Sequence, residues 1–259
     1  MCNNRSISIL GCGWLGLPLA KSFVNDGIEV KGSTTSPEKL TLLKAAGLDP
    51  YLVHFSSETA DVVIDVFFKC DVLIIAIPPG RTPEKQQNFS SMLSLLTKGV
   101  AESSIGKIIF LSSTAVYGDS NRNVSELDEC ETNTEAGWRM AAAEQTIAGI
   151  PNVQVVILRL AGLVGPGRHP GKFFAGKKKI ANGLAPVNLV HSDDAIAVIK
   201  EMAKNDKCEG IYNLSSPEHP TKESFYTLAT ARLRLEPPEF IPERRNWKIV
   251  HSKRLMEEL

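Results

Sequence analysis

The feature that most constrains this chain is a junction near its start, Ile7-Ser8-Ile9-Leu10-Gly11-Cys12-Gly13-Trp14-Leu15-Gly16-Leu17-Pro18-Leu19-Ala20. An apolar run of strand length enters Gly-x-Gly-x-x-Gly, and an apolar segment of helix length leaves it. The glycine pattern alone is weak, because glycines recur in any loop-rich chain. With a strand before it, a helix after it and a second strand over Ile28 to Gly32, it closes a βαβ unit of about thirty residues. In such a unit Gly11 makes the tight turn, Gly13 lets a pyrophosphate approach the backbone, and Gly16 lets the helix pack close to the strand. The helix N-terminus then offers amide donors and a partial positive charge to phosphates. The stretch Gly11, Gly13, Trp14, Leu15 and Gly16 is therefore read as a dinucleotide site. The alternative is a glycine-rich turn in a fold that has lost its cofactor. Pro18 fits only within the first helical turn, which places the helix start near Leu15.

The end of the second strand bears on which dinucleotide. NAD sites usually carry an Asp or Glu about twenty residues past the glycines, where it holds the ribose 2′-OH. Here the stretch is Gly32-Ser33-Thr34-Thr35-Ser36-Pro37-Glu38-Lys39, with no carboxylate before Glu38. Hydroxyls on Ser33 and Thr34 and a cation from Lys39 or Lys31 suit a 2′-phosphate, which a carboxylate would repel. NADP is expected over NAD. The plainer reading of the same residues is a Ser/Thr helix cap before Pro37.

The pattern continues as strands alternating with helices. Leu40 to Gly47 reads as a short helix ended by glycine, and Tyr51 to Phe55 as a third strand. Val72 to Ile77 is an unbroken apolar run, the signature of a parallel strand buried on both faces. It stops at Pro78-Pro79-Gly80, a loop on the ligand side of such a sheet, so Pro78 joins the cofactor-contacting candidates, with Arg81 beside it. Glu84 to Ser103 reads as a helix, and Lys107 to Leu111 as the next strand, running into Ser112-Ser113-Thr114-Ala115-Val116-Tyr117-Gly118. Val153 to Leu160 is a further strand. The expected fold is α/β, a Rossmann-type doubly wound parallel sheet.

Length and charge remove other classes. A chain of 259 residues suits one large domain. Lys plus Arg and Asp plus Glu both number 29, so no global attraction to nucleic acid or to an anionic membrane follows. The five cysteines are scattered without a Cys-x-x-Cys pair, as in a protein kept reduced, and no cluster has metal-ligand spacing. Ile9-Leu10-Gly11-Cys12 has the look of a lipoprotein cleavage box, but the apolar run before it is far too short for a signal sequence. The expected setting is cytoplasmic. The expected partner is a small-molecule substrate, with no nucleic acid, membrane or metal, and the expected assembly is a monomer or homodimer.

Several stretches together resemble the extended branch of the short-chain dehydrogenase/reductase family, the NAD(P)-dependent epimerase/dehydratase group. They are Gly11 to Gly16, Ser112 to Gly118, Arg159 to Gly167, and Val190-His191-Ser192-Asp193-Asp194-Ala195, and in order and spacing they cover residues 5 to about 215. Leu160 to Gly171 and Phe173-Phe174-Ala175-Gly176-Lys177 are similar to an atypical, YeeZ-like bacterial subgroup whose members resemble NADP binders. The resemblance implies a single domain over 1–259, with 168–186 and about 215–259 forming a small substrate lobe. It implies hydride transfer, with Ser112 near the cofactor and Ser113 as the hydroxyl that bonds the reacting oxygen. In that lobe the family closes over a nucleotide-sugar, where Lys172, Lys177, Lys178 and Lys179 would face phosphates and a phenylalanine could stack on a base. A charged loop packed down by Phe173 and Phe174 is the plainer reading. Asp193 is read as a helix N-cap.

One departure is sharp. The family's acid/base tyrosine and its partner lysine belong on the next helix. Indexed on Glu144, those positions hold Ala136 and Met140, neither of which transfers a proton at neutral pH. Two accounts follow. In one, the chain is an oxidoreductase acting on a nucleotide sugar or a small carbonyl or alcohol, with another proton donor: Ser113 or Thr114, Tyr117, or His169, whose ordinary pKa lies near neutrality. Arg139 or Arg168 would then hold an anionic substrate. In the other, it binds NADP without turnover, as a redox sensor or scaffold.

Overall fold

The structure, a computed structural model, describes residues 5–55, 65–80 and 82–259. Its strands are β1 (Ile7–Leu10), β2 (Val30–Thr34), β3 (Asp49–Leu52), β4 (Val72–Ile75), β5 (Lys107–Ser113), β6 (Arg122–Val124), β7 (Gln154–Leu160), β8 (Gly162–Val164), β9 (Leu189–His191), β10 (Gly210–Leu214) and β11 (Lys248–Val250). Its helices are α1 (Gly16–Asn25), α2 (Leu40–Ala45), α3 (Pro83–Ala101), α4 (Glu135–Ala148), α5 (Gly171–Phe174), α6 (Ser192–Lys204), α7 (Lys222–Arg232) and α8 (Lys253–Glu258). None of the described helices is long and apolar enough to cross a membrane.

Seven strands form one sheet in the order β10-β7-β5-β4-β1-β2-β3. Ile7 of β1 stands opposite Val30 of β2 on one side and Val72 of β4 on the other, both in parallel register. Chain order therefore reverses between β1 and β4, and the carboxyl ends of those two strands frame the crevice where such sheets take ligands. The expected doubly wound sheet is present. Ile9, Leu10, Leu73, Ile74, Ile109 and Phe110 are buried, which is why their stretches lack polar alternation.

Contacts divide the chain into two compact units. The first, Met1–Ser112 with Arg139–Leu158 and Ile196–Ile211, holds most of the sheet. Within it, two cations receive the carboxyl end of α6. Arg5 donates to the Ala203 carbonyl at 2.9 Å, and buried Lys107 donates to those of Met202 and Asn205 at 3.0 and 2.6 Å. These carbonyls have no acceptor role left inside the helix, and positive charge suits that end of its dipole. Burial pushes the Lys107 ammonium below the usual lysine range.

The second unit, Ser113–Trp138 with Arg159–Ala195 and Tyr212–Leu259, is built on two parallel pairs, β6 with β11 and β8 with β9. Asn188 ties its segments together, donating to the Lys248 carbonyl at 2.9 Å and accepting from the Val250 amide at 2.8 Å. Phe174 packs edge-on against Tyr226 and Phe240, with centroids 4.6 and 5.8 Å away.

Element boundaries moved where a turn claimed the residues. β2 starts at Val30 rather than Ile28, because Gly27 turns the chain with φ +79° and the Ile28 amide bonds back to Phe23 at 3.1 Å. β3 covers Asp49–Leu52 instead of Tyr51 to Phe55, since its pairing with β2 runs from Lys31–Asp49 to Thr34–Leu52. Pro18 lies in the first turn of α1, as expected.

Truncating Ile74, fully buried in β4, to alanine should lower unfolding free energy by about 2–5 kcal/mol in a urea titration. The same truncation at Leu127, 86% exposed, should change it by no more than about 0.5 kcal/mol.

Candidate functional site

In the first unit the glycine turn has the shape its sequence demanded. Gly11 sits at φ +96°, and a Cβ there would lie 2.8 Å from Ile77 Cγ1 and 3.1 Å from the Ala76 carbonyl oxygen. The turn after β1 thus presses against the segment after β4. A Cβ on Gly16 would lie 2.1 Å from the Gly11 carbonyl oxygen, so only glycine allows α1 to start this close to the turn. Gly13 is different. A Cβ there would meet nothing within 4 Å. The chain's own packing gives no reason for that glycine, whereas a phosphate approaching the backbone does.

α1 opens toward this space without any protein cap. Its N-cap residue, Leu15, makes no side-chain hydrogen bond, and its first turn carries no acidic residue. The Leu17 amide is taken by the Gly13 carbonyl at 3.1 Å and Pro18 has no N–H, so what this start offers an anion is the Gly16 amide and the partial positive charge of the helix end. These features fit the pyrophosphate of a dinucleotide.

Ser33 turns out to hold the loop together. Buried at 3% exposure, its hydroxyl accepts from the Gly11 amide at 2.9 Å, and its carbonyl accepts from the Cys12 amide at 2.9 Å. It was expected to face a ribose phosphate; the structure aims it at the backbone of the turn. Thr34 closes a local turn, its hydroxyl accepting from the Ser36 amide at 3.1 Å, while Ser36, at the N-cap of the 3₁₀ turn Pro37–Lys39, makes no capping bond of its own. Lys31 donates to the Val66 and Lys69 carbonyls at 3.0 and 2.6 Å, which leaves exposed Lys39 as the cation at the strand's end. Pro78 is exposed just beyond β4, and Arg81 lies outside the described residues. Ser112 is buried and donates its hydroxyl hydrogen to Glu144, also buried. The glutamate that indexes the helix is thus a structural partner of the serine assigned to the cofactor.

The proton-transfer candidates Ser113, Tyr117 and His169 fall in the second unit. Ser113 caps the 3₁₀ turn Thr114–Val116, its hydroxyl oxygen accepting from the Ala115 amide at 3.1 Å, which leaves the hydroxyl hydrogen to donate. Tyr117 is only 2% exposed. Its oxygen accepts from Arg159 at 2.6 Å, and its hydrogen is directed at the Ser125 carbonyl at 2.8 Å or Asn213 Oδ1 at 3.0 Å. Burial pushes its pKa up, against the pull of Arg159. That is a packed tyrosine with its polar end satisfied. His169 uses Nδ1 to accept from the Gly171 amide at 3.1 Å, fixing the entry to α5, and keeps Nε2.

The helix α4 carries neither tyrosine nor lysine: Ala136 is exposed and Met140 buried. In the basic stretch before Asn182, Lys172, Lys177, Lys178 and Lys179 are exposed, and Lys177 lies over the Phe174 ring at 5.3 Å from its centroid. Lys178 reaches Glu239 at 2.8 Å and Glu236 at 3.4 Å, and Phe174 is enclosed by Tyr226 and Phe240. Asp193 is not a cap but lies inside the first turn of α6, where its amide donates to His191 Nδ1 at 3.3 Å. Among the described residues no three His, Cys, Asp or Glu side chains are placed to hold a metal ion.

The profile of the NAD dependent epimerase/dehydratase family matches residues 7–215, from β1 through β10. The chain belongs to that family. It is 36% identical to Protein YeeZ of Escherichia coli (strain K12), over 98% of this chain and 94% of that one. Among solved structures it resembles UDP-N-acetylglucosamine 4-epimerase from Bacillus cereus (TM-score 0.80, 17% identity, 98% of this chain and 92% of that one). It also resembles the Bordetella bronchiseptica enzyme WbmG in complex with NAD (TM-score 0.78, 18% identity, 98% and 87%). At those identities the likeness is one of fold.

Three substitutions separate the jobs described above. Gly16→Ala should destabilise the protein by about 3 kcal/mol or more, since backbone must move. Gly13→Ala should leave thermal stability unchanged or slightly raised. Ser33→Ala, which strands the Gly11 amide, should cost about 1–3 kcal/mol in the same thermal melts.

Proposed function

We propose that the chain binds NADP(H) on the turn Gly11–Gly16 and is an oxidoreductase of the atypical epimerase/dehydratase type, acting on a small carbonyl or alcohol. The observation that carries this reading is the open space at Gly13 in front of an uncapped, acid-free helix end. Two features favour the 2′-phosphorylated cofactor over NAD. No carboxylate stands at the end of β2, and Lys39 is exposed there while Lys31 is tied to carbonyls. Asp49, the nearest acid on β3, pairs with Lys31 at the far end of the strand from Thr34.

The bound nicotinamide supplies the hydride. This chain's residues must then handle the proton, and with Ala136 and Met140 in the usual positions the candidates are Ser113, buried Thr114 and His169. Ser113 keeps a hydrogen to donate and His169 keeps Nε2, whereas the Tyr117 hydroxyl is enclosed and directed at protein acceptors. For a nucleotide sugar, Lys172, Lys177 and Lys179 are exposed, but two of the residues expected to hold one are engaged within the protein. Phe174 is packed in an aromatic cluster and Lys178 is paired with two glutamates, so neither is placed to stack on a base or grip a diphosphate.

A second reading is a redox sensor that binds NADP without turnover, favoured by the absence of tyrosine and lysine from α4. One pair of measurements decides between these readings. In thermal-shift titrations NADP at about 100 times its Kd should stabilise the protein by about 2.7 kcal/mol, and NAD at the same concentration by less. Gly13→Val should remove the effect. Equal or greater stabilisation by NAD refutes the 2′-phosphate argument. Loss of NADPH absorbance with a panel of small carbonyl compounds supports the oxidoreductase; tight binding with no turnover on any of them supports the sensor.

A further inference from the structure

The second unit contains a cleft of about 610 Å³ that the reading above does not use. Its walls are apolar: Val164 from β8, Val187 and Leu189 at β9, and Phe225 from α7. Its polar groups are His191, His219, Asp194, Glu218 and Ser216, and no lysine or arginine lines it. The size and the mostly apolar lining with a few convergent polar groups are those of a small-molecule site.

Charge decides what it can take. Two helices begin at its edge, and both starts are closed to anions. At α6 the Asp193 amide is already bonded to His191, and the first turn carries Asp193 and Asp194. At α7 the Thr221 hydroxyl accepts from the Ser224 amide at 3.2 Å, and the first turn carries Glu223. This is the opposite of α1, which has neither cap nor acid. A phosphate or carboxylate would find carboxylates and no cation. His219 adds an acceptor. Its Nδ1 lies 3.1 Å from the Val187 carbonyl, which only accepts, so Nδ1 carries a hydrogen, and in the tautomer with that one hydrogen Nε2 is the acceptor.

We propose that this cleft binds a compact organic cation, a primary or secondary ammonium on a hydrocarbon body. Asp194 and Glu218 attract the charge, His219 accepts an N–H, and the valine and leucine wall covers the apolar part. The inference stands on the second unit alone and is independent of the dinucleotide reading.

Three probes of one shape test it: benzylammonium, benzyl alcohol and benzoate, each titrated into the full chain by amide chemical-shift mapping and calorimetry. Benzylammonium should bind most tightly and shift amides within 187–194 and 216–225. Benzyl alcohol should bind more weakly and benzoate not at all. The double variant Asp194→Asn, Glu218→Gln should weaken benzylammonium by about fivefold and leave benzyl alcohol unchanged. Should that variant fail to fold, the ranking of the three probes on the unaltered protein still decides. Benzoate or benzyl alcohol binding as tightly as benzylammonium, shifts outside those segments, or no binding of any probe each overturns the proposal.

Discussion

The glycine turn is held in shape by its neighbouring strand. Buried Ser33 takes the amide of Gly11 on its hydroxyl and the amide of Cys12 on its carbonyl, both at 2.9 Å. Those bonds fix the turn at φ +96° at Gly11, press it against the Ala76–Ile77 segment, and leave α1 to start directly over the Gly11 carbonyl. Everything at the first unit's ligand edge depends on that arrangement. Once the turn is fixed, the start of α1, which has no side-chain cap, and the empty flank of Gly13 lie at the crevice where chain order reverses between β1 and β4. An anion stabilises such a helix end because neither a side-chain cap nor an acidic residue in the first turn does so.

The same physics explains why the second unit has a different character. There the helix starts are closed by His191 and Thr221 and loaded with acids, and the long cations are engaged inside the unit. Arg159, 2% exposed, lies over the Tyr117 ring and donates to its oxygen; Lys248 donates to the Tyr117 carbonyl at 2.7 Å and to Asp119 at 2.9 Å. A buried guanidinium needs such partners, since an unpaired charge there would be strongly destabilising. Tyr117 is thereby a structural element of this unit's interior.

The sheet was legible because its strands are buried on both faces. Val72-Leu73-Ile74-Ile75 and Ile108-Ile109-Phe110-Leu111 announce themselves by unbroken apolarity, and the glycine spacing marks where β1 turns. Family membership was legible in the four spaced motifs. What sequence could not show was the direction of a small hydroxyl. Ser33, Thr34 and Ser112 are residues whose oxygens serve a ligand or the backbone equally well, and packing, not residue type, sends Ser33 to Gly11 and Ser112 to Glu144. The strand limits of β2 and β3 shifted for a similar reason: Gly27 and the Phe23 carbonyl claimed Ile28 before the sheet could. The cleft beside β9 had no signal in the pattern, because its residues come from three segments more than twenty residues apart in sequence.

The most direct test of the central claim is an amide chemical-shift titration of the full chain with NADP. The account predicts saturable shifts led by Gly13, Trp14, Leu15 and Gly16, with a second group at the end of β2 near Lys39 that shrinks when NAD replaces NADP. Saturable binding that leaves the Gly13–Gly16 amides unmoved, or no binding at all, would contradict it.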